Sequence, residues 1–135
     1  MSVSSACEKG PGSARKGGIS RMAQKWRKTL EAERSRLNEI VVSGGHLGIK
    51  RFFALDEQAY HAGALPAKTK ELLGLVASLV LRCDDCVSYH LIKCKDEGVT
   101  GEEFYEAFNI ALITGGSIVI PHLRRAAEKL ESLGD

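Results

Sequence analysis

Apolar residues recur along most of this chain at the spacing of one face of an α-helix. Trp26, Leu30 and Leu37 stand four and seven residues apart among charged side chains, which predicts an amphipathic helix opening near Met22. The same spacing returns further along the chain, and the strict alternation of apolar and polar residues that would indicate strands is nowhere sustained. The pattern therefore predicts an all-α fold.

Glycine and proline residues divide the helical pattern into six segments. Glycine often follows the last turn of a helix, and proline is tolerated in a first turn because its missing N–H would have no partner there. Thr100 and Glu103 have the spacing of a capping box, which satisfies free N–H groups at a helix start. The predicted helices run from Met22 to the break at Ser43-Gly44-Gly45, over residues 46–62, 66–81 and 84–97, from Thr100 to the break at Gly115-Gly116, and over residues 117–133.

Residues 1–21 differ in composition from the rest of the chain. They are rich in Gly, Ser, Lys and Arg and poor in large apolar residues, so they cannot bury enough surface to offset their ordering entropy. We therefore expect a flexible N-terminal tail over residues 1–21 and a single all-helical domain over residues 22–135. Cys7 lies in this tail and is interpreted as incidental.

The charge of the chain gives no sign of a nucleic-acid surface. The net charge is +2, and residues 1–21 contribute +3 through four basic residues against one acidic residue, which leaves the domain at −1. No apolar run reaches the roughly 18–20 residues that span a membrane, and the N-terminus lacks the apolar segment of a secretory signal. We therefore expect a cytoplasmic protein that binds neither nucleic acid nor membrane. In a reducing compartment, a close cysteine pair is more often catalytic or metal-binding than structural.

Candidate chemistry is concentrated in RCDDCVSYHLIKC, residues 82–94, which holds three of the four cysteines and one of the four histidines. Cys83, Cys86, His90 and Cys94 follow at i, i+3, i+7 and i+11, so a helix would place them on one stripe. A metal is disfavoured, because a helical rise of about 1.5 Å per residue would put Cys83 and Cys94 on the order of 16 Å apart. The other three could share an ion only if the first turn unwound. Cys94 is interpreted as a small buried hydrophobic residue.

A redox function fits the remaining pair better. Cysteines three residues apart at a helix N-terminus can close a disulfide within one turn, and the dipole and free N–H groups there stabilise a thiolate. His90 follows Cys86 by one turn, within reach for proton transfer. Glu71 stands just before the most apolar stretch. Its carboxylate either faces water at a helix start or is buried with a partner, and burial would suit it to a proton relay.

The order Glu71, eleven residues, Cys83, two residues, Cys86, three residues, His90 resembles the signature of the AhpD-like (alkylhydroperoxidase) family of the carboxymuconolactone decarboxylase superfamily. The flanking sequences KTKELLGLVASLVLRCDDCVSYH and EGVTGEEFYEAFNIALITGGS resemble that family too, and the likeness covers roughly residues 45–130. The resemblance implies a subunit of about six helices with the C-x-x-C at the start of a buried helix. It also implies a homo-oligomer, a trimer or a hexamer.

The same resemblance implies a thiol-dependent enzyme that reduces hydroperoxides. Cys86 would attack the terminal peroxide oxygen and become a sulfenic acid, and Cys83 would condense with it to a disulfide. Glu71 and His90 would act as a proton relay in these steps. A dithiol donor would then reduce the disulfide, either a lipoyl group on a partner protein or a thioredoxin-like protein. No bound cofactor and no metal are expected.

The sequence departs from the best-known member of the family at one position of the motif. That member has a further histidine directly before the second cysteine, where this chain has Asp85, and Asp84 is acidic as well. Two carboxylates beside the thiols are expected to disfavour the thiolate and slow attack on peroxide. Helix-dipole reasoning alone would also favour Cys83, rather than Cys86, as the nucleophile.

Other functions stay open from the sequence. The chain could be a protein disulfide reductase, or a redox sensor that responds to oxidant without peroxide turnover. A cofactor-free carboxymuconolactone decarboxylase-like enzyme is a further alternative, although it would leave the C-x-x-C unexplained. A zinc-binding module is the last alternative. His61 and His122 are interpreted as ordinary surface or core groups outside the site.

Overall fold

The computed structural model describes the backbone of residues 16–134, and the side chains from Arg21 onward apart from Ala23. Within this range the chain forms six α-helices, one short 3₁₀ turn and no strand, so the predicted all-α fold is confirmed. The helices are α1 (Lys16–Ser43), α2 (Leu47–Ala59), α3 (Ala67–Val80), α4 (Asp84–Asp96), α5 (Gly101–Gly115) and α6 (Ile120–Leu133), and the 3₁₀ turn covers Ser117–Val119.

The helix boundaries follow the predicted breaks to within a few residues, with two differences. α1 begins at Lys16, six residues before Met22, because an existing helix gains one backbone hydrogen bond per added residue and needs no apolar face to extend. Residues 1–15, the remainder of the predicted tail, lie outside the described residues. α2 ends at Ala59, three residues earlier than predicted, in a tighter turn whose N–H groups bond three residues back.

α3 and α4 form the centre of the molecule. α3 packs against both α4 and α5, and α6 packs against α4 and α1. Their apolar faces meet in one core, in which Phe104 and Phe108 are the largest fully buried side chains. Leu79 and Val87 flank the junction between α3 and α4, and both are buried in this core. The junction, which carries the first two cysteines of the motif, is therefore anchored from both sides.

The surface carries several large apolar residues, and α2 is the helix that is least covered. None of its residues is buried, and Phe52 and Leu55 are 68% and 64% exposed. Exposed apolar side chains also occur on α5, where Ile110 and Ile113 face outward. No helix among residues 16–134 is long and apolar enough to cross a membrane.

Candidate functional site

α3 and α4 are joined by a compact turn in which Cys83 takes part both in the end of α3 and in the start of α4. Arg82 has a φ of +60°, in the left-handed region, and its N–H bonds to the carbonyl of Leu79 while the N–H of Cys83 bonds to that of Ser78. These two bonds are those of a Schellman motif, which closes α3. Cys83 is also the N-cap of α4, where its sulfur accepts a hydrogen bond from the N–H of Cys86 at 3.3 Å.

Cys83 and Cys86 are joined by a disulfide at this helix start, with their Cα atoms 5.2 Å apart. Both residues are half-buried, so the bond is reachable from solvent. Cys94 is free and fully buried, and burial, together with the charges of Glu71 and Glu97, raises the pKa of its thiol to about 12. The C-x-x-C is thus at the start of a helix as predicted, and Cys94 is the buried apolar group that the sequence indicated.

Glu71 and His90 form a buried pair in the contact between α3 and α4. Their side chains are joined by a hydrogen bond of 2.8 Å between Glu71 Oε2 and His90 Nδ1, and the two residues are only 6% and 7% exposed. Of the two alternatives for Glu71, the structure therefore shows burial with a partner. A carboxylate only accepts hydrogen bonds, so Nδ1 carries the donated proton, and in a neutral ring Nε2 keeps its lone pair.

Tyr60 contacts the second nitrogen of this histidine. Its hydroxyl lies 3.4 Å from His90 Nε2, and the two ring centroids are 5.1 Å apart. Burial raises the pKa of the Tyr60 hydroxyl, with Asp56 and Glu71 adding to the shift, so the group is a donor at neutral pH. Both nitrogens of His90 thus have a partner in the disulfide form of the protein.

Gly74 supplies the space that the imidazole of His90 occupies. A Cβ atom at Gly74 would lie 2.5 Å from Cε1 and 2.8 Å from Nε2 of that ring, closer than packed carbon atoms come. Gly74 follows Glu71 by three residues, so the two lie on the same face of α3. α3 therefore provides both the hydrogen-bond acceptor and the cavity for His90.

Asp84, the first residue of α4, is held by two residues of α6. Its Oδ1 lies 2.8 Å from His122 Nδ1, and its Oδ2 accepts a hydrogen bond from Arg125 Nε at 2.9 Å. Burial by itself would raise the pKa of Asp84, but the hydrogen bonds and charges of His122 and Arg125 hold it below its usual value. Further along the same two helices, Lys129 donates to the hydroxyl of Ser88. His122 is thus half-buried and bound to Asp84, and its interpretation as a group outside the site stays a prediction.

A surface groove of about 1010 Å³ runs beside the buried pair, between α1, α2 and α4. Tyr60, Glu71 and Tyr89 line it, and the guanidinium of Arg34 lies 4.3 Å from the centre of the Tyr89 ring. Neither cysteine of the disulfide lines this groove. The groove therefore gives access to the Glu71–His90 side of the site, separately from the disulfide.

Residues 49–129 match the family model for the carboxymuconolactone decarboxylase family, a stretch that contains α3, α4 and α5 and every residue of the motif. This match covers more than half of the chain. The protein belongs to the carboxymuconolactone decarboxylase family, in agreement with the AhpD-like resemblance of its motif.

Solved structures agree with this assignment. Two crystal structures of one Thermotoga maritima protein are 59% and 58% identical, with TM-scores of 0.77 and 0.72, and cover 78% of this chain and 93% and 89% of theirs. One of them is described as a family member with a suggested part in the antioxidative response. A family protein from Legionella pneumophila, 24% identical over 90% of this chain and 100% of its own, shares the fold with a TM-score of 0.61.

Two bacterial relatives match over a similar part of the chain. A protein of Paracoccus denitrificans named for its place in the cox locus is 28% identical over 82 residues, which is 61% of this chain and 74% of its own. An uncharacterized protein of Cupriavidus necator is 32% identical over 89 residues, 62% of this chain and 79% of its own. Neither name states an activity.

Proposed function

We propose that this protein is a thiol-dependent oxidoreductase that reduces hydroperoxides through Cys83 and Cys86. The observation that carries the proposal is one arrangement on α4. A reachable disulfide stands at the helix start, and a buried Glu71–His90 pair stands one turn beyond Cys86. A redox-active cysteine needs a stabilised thiolate and a nearby base, and a cysteine pair at a helix start with a buried Glu–His pair one turn beyond supports both. The suggested antioxidative role of the Thermotoga maritima protein supports the same reading.

In the dithiol form, the Cys86 thiol replaces the Tyr60 hydroxyl at Nε2 of His90 and passes its proton to that nitrogen. Glu71 holds the opposite nitrogen and stabilises the imidazolium. The Cys86 thiolate attacks the terminal oxygen of the hydroperoxide, and the O–O bond breaks. The alkoxide leaves as the alcohol with the proton from His90, and Cys86 becomes a sulfenic acid. The Cys83 thiol then displaces water from that sulfur and forms the disulfide.

The two cysteines have different surroundings, which supports separate roles for them. Cys83 is the N-cap of α4 and receives the N–H of Cys86 in a 3.3 Å hydrogen bond, an interaction that stabilises negative charge on its sulfur. A stabilised thiolate is a good leaving group when a second dithiol attacks the disulfide. Cys83 is therefore assigned as the thiolate that leaves when the reductant attacks the sulfur of Cys86. Cys86, one turn from His90, is assigned to the attack on peroxide.

A dithiol supplies the two electrons and two protons that return the disulfide to the reduced state. A lipoyl group on a partner protein, or a thioredoxin-like protein, has the chemistry required, and no bound cofactor or metal takes part in the cycle. We further propose that the protein works in the cytoplasm as a homo-oligomer, a trimer or a hexamer. The exposed apolar side chains of α2 and α5 support assembly.

Consumption of tert-butyl hydroperoxide with dihydrolipoamide as donor, under multiple turnover, tests the proposal. The parent should turn over, Cys86→Ser should not, and Glu71→Gln should be slower by about 10²–10⁴-fold, the usual contribution of a general acid–base system. No peroxide turnover in the parent, with the pair still cycling between dithiol and disulfide, would instead indicate a disulfide reductase or sensor. Activity on a small organic acid or lactone that survives Cys83→Ser and Cys86→Ser together would favour a decarboxylase-like enzyme.

A further inference from the structure

The carboxylate next to the first cysteine is covered by a row of α6 side chains. Asp84 follows Cys83 directly, and both of its oxygens are bound by α6, to His122 at 2.8 Å and to Arg125 at 2.9 Å. A nitrogen of the Arg125 guanidinium also lies 3.0 Å from His122 Nδ1, so the three groups form one cluster. His122 and Arg125 are three residues apart and therefore lie on one face of α6.

This cluster lies where it can affect the chemistry of the cysteine pair. A free carboxylate at the first position of α4 would compete with a thiolate for the same positive end of the helix, and would repel it as a like charge. Two charged or polar partners on Asp84 cancel much of that repulsion. The side chain of Asp84 is 38% accessible to solvent, which screens its interaction with His122 and Arg125. The effect of this cluster on the thiols is therefore expected to be moderate.

We propose that α6 sets the reactivity of the Cys83–Cys86 pair, with His122 and Arg125 acting through Asp84 as positioning and charge-compensating residues. The inference rests on the proposed function in one respect, that the pair cycles through a dithiol. With Asp84 compensated, a thiol at the α4 start can lose its proton to solvent and hold negative charge. Without the compensation, Asp84 opposes that charge.

A structural role and an electrostatic role for this cluster predict different outcomes. If the cluster only fastens α4 to α6, then loss of either partner loosens the same contact, and Asp84→Asn and Arg125→Gln change thiol reactivity in the same direction. If it compensates charge, Asp84→Asn leaves positive charge near the thiols and raises reactivity, whereas Arg125→Gln leaves a less compensated carboxylate and lowers it. The double variant should then lie near the parent.

The experiment measures alkylation of the fully reduced protein by iodoacetamide at neutral pH and low ionic strength, with mass spectrometry to identify the modified cysteine. We expect Asp84→Asn to react about two- to fivefold faster and Arg125→Gln slower by a similar factor, the range of a partly exposed ion pair. Arg124→Gln is the matched control, because Arg124 is the exposed neighbour on α6 and lies outside the cluster. High salt should reduce all of these differences.

Shifts of Asp84→Asn and Arg125→Gln in the same direction, or rates equal to the parent, would overturn the inference. If Asp84→Asn does not fold, Arg125→Lys replaces it: retained charge should keep most of the reactivity, and a loss equal to that of Arg125→Gln would contradict charge compensation. The assay requires no peroxide turnover. Opposite shifts in an enzyme without peroxidase activity would therefore leave this inference standing while the proposed function fails.

Discussion

At the scale of single residues, the absence of a side chain at Gly74 matters as much to the site as the presence of Glu71. The imidazole of His90 fills the volume that a Cβ atom at Gly74 would occupy. On the same face of α3, Glu71 accepts a hydrogen bond of 2.8 Å from Nδ1 of His90. α3 therefore supplies the hydrogen bond to Nδ1 of His90 and the cavity for its ring, while Tyr60 contacts Nε2 from outside α3.

Gly74→Ala should displace His90 and break its hydrogen bond to Glu71, because the added carbon would lie 2.5 Å from the ring. Overpacking of this kind usually costs about 1–3 kcal/mol, offset by about 1 kcal/mol from the better helix propensity of alanine. We expect peroxide turnover to fall at least about tenfold, because a general base would be misplaced. The midpoint of thermal unfolding should shift only modestly.

Gly101→Ala is the matched control for this substitution. Gly101 is also helical, at the start of α5, and nothing lies within 4 Å of the Cβ position it would gain. Turnover should equal that of the parent. If Gly74→Ala retained full turnover with dihydrolipoamide, the assignment of His90 as the base for Cys86 would be wrong.

The candidate site residues that share one helix were recognisable from the sequence by their spacing, and Glu71 by its place in the family motif, whereas other residues brought in by packing were missed. Cys83, Cys86 and His90 were recognisable because their spacing places them on one stripe of one helix. Gly74 had a weak signal, as a glycine inside a helical segment often marks a close approach. Tyr60 and Arg125 had none, because they reach the site from the end of α2 and from α6 only after the chain has folded.

At the scale of elements, the α3–α4 junction contains a local strain. Arg82 occupies the left-handed position of a Schellman motif, where glycine is usual and where a side chain costs roughly 1–2 kcal/mol. The side chain of Arg82 is exposed. Because the motif fixes where α3 ends and α4 begins, the strain lies directly beside the disulfide.

Arg82→Gly should therefore stabilise the protein by about 1 kcal/mol in urea unfolding, since glycine adopts this conformation freely. Arg124→Gly is the control, because Arg124 lies inside α6, where glycine should destabilise by about 1 kcal/mol. A loss of stability in Arg82→Gly would show instead that the Arg82 side chain makes a contact that offsets the strain.

At the scale of the whole molecule, the least expected feature is how little of α2 the rest of the fold covers. Its apolar spacing was correctly taken as helical, yet no residue of α2 is buried in the chain. An amphipathic pattern shows that a helix has an apolar face, but not which surface covers it. The helices and their breaks were thus predictable from local spacing, whereas their packing depended on contacts that are distant in sequence.

Phe52→Glu should weaken self-association, because it places a charge on the most exposed large side chain of α2. In sedimentation velocity, we expect the parent as a trimer or a hexamer and the variant shifted toward a single chain. Lys50→Glu, an exposed polar position on the same helix, is the control and should leave the assembly unchanged. A parent that sediments as a single chain would contradict the proposed homo-oligomer.

The disulfide itself encloses a ring of only four residues, from Cys83 to Cys86, inside the first turn of α4. The stabilisation that a cross-link gives through the unfolded chain grows with the length of the loop it closes, so a bond this local restrains little of the polypeptide. The large buried side chains of α3, α4 and α5 hold the architecture without it. Opening of this bond should therefore leave the packing of the helices in place.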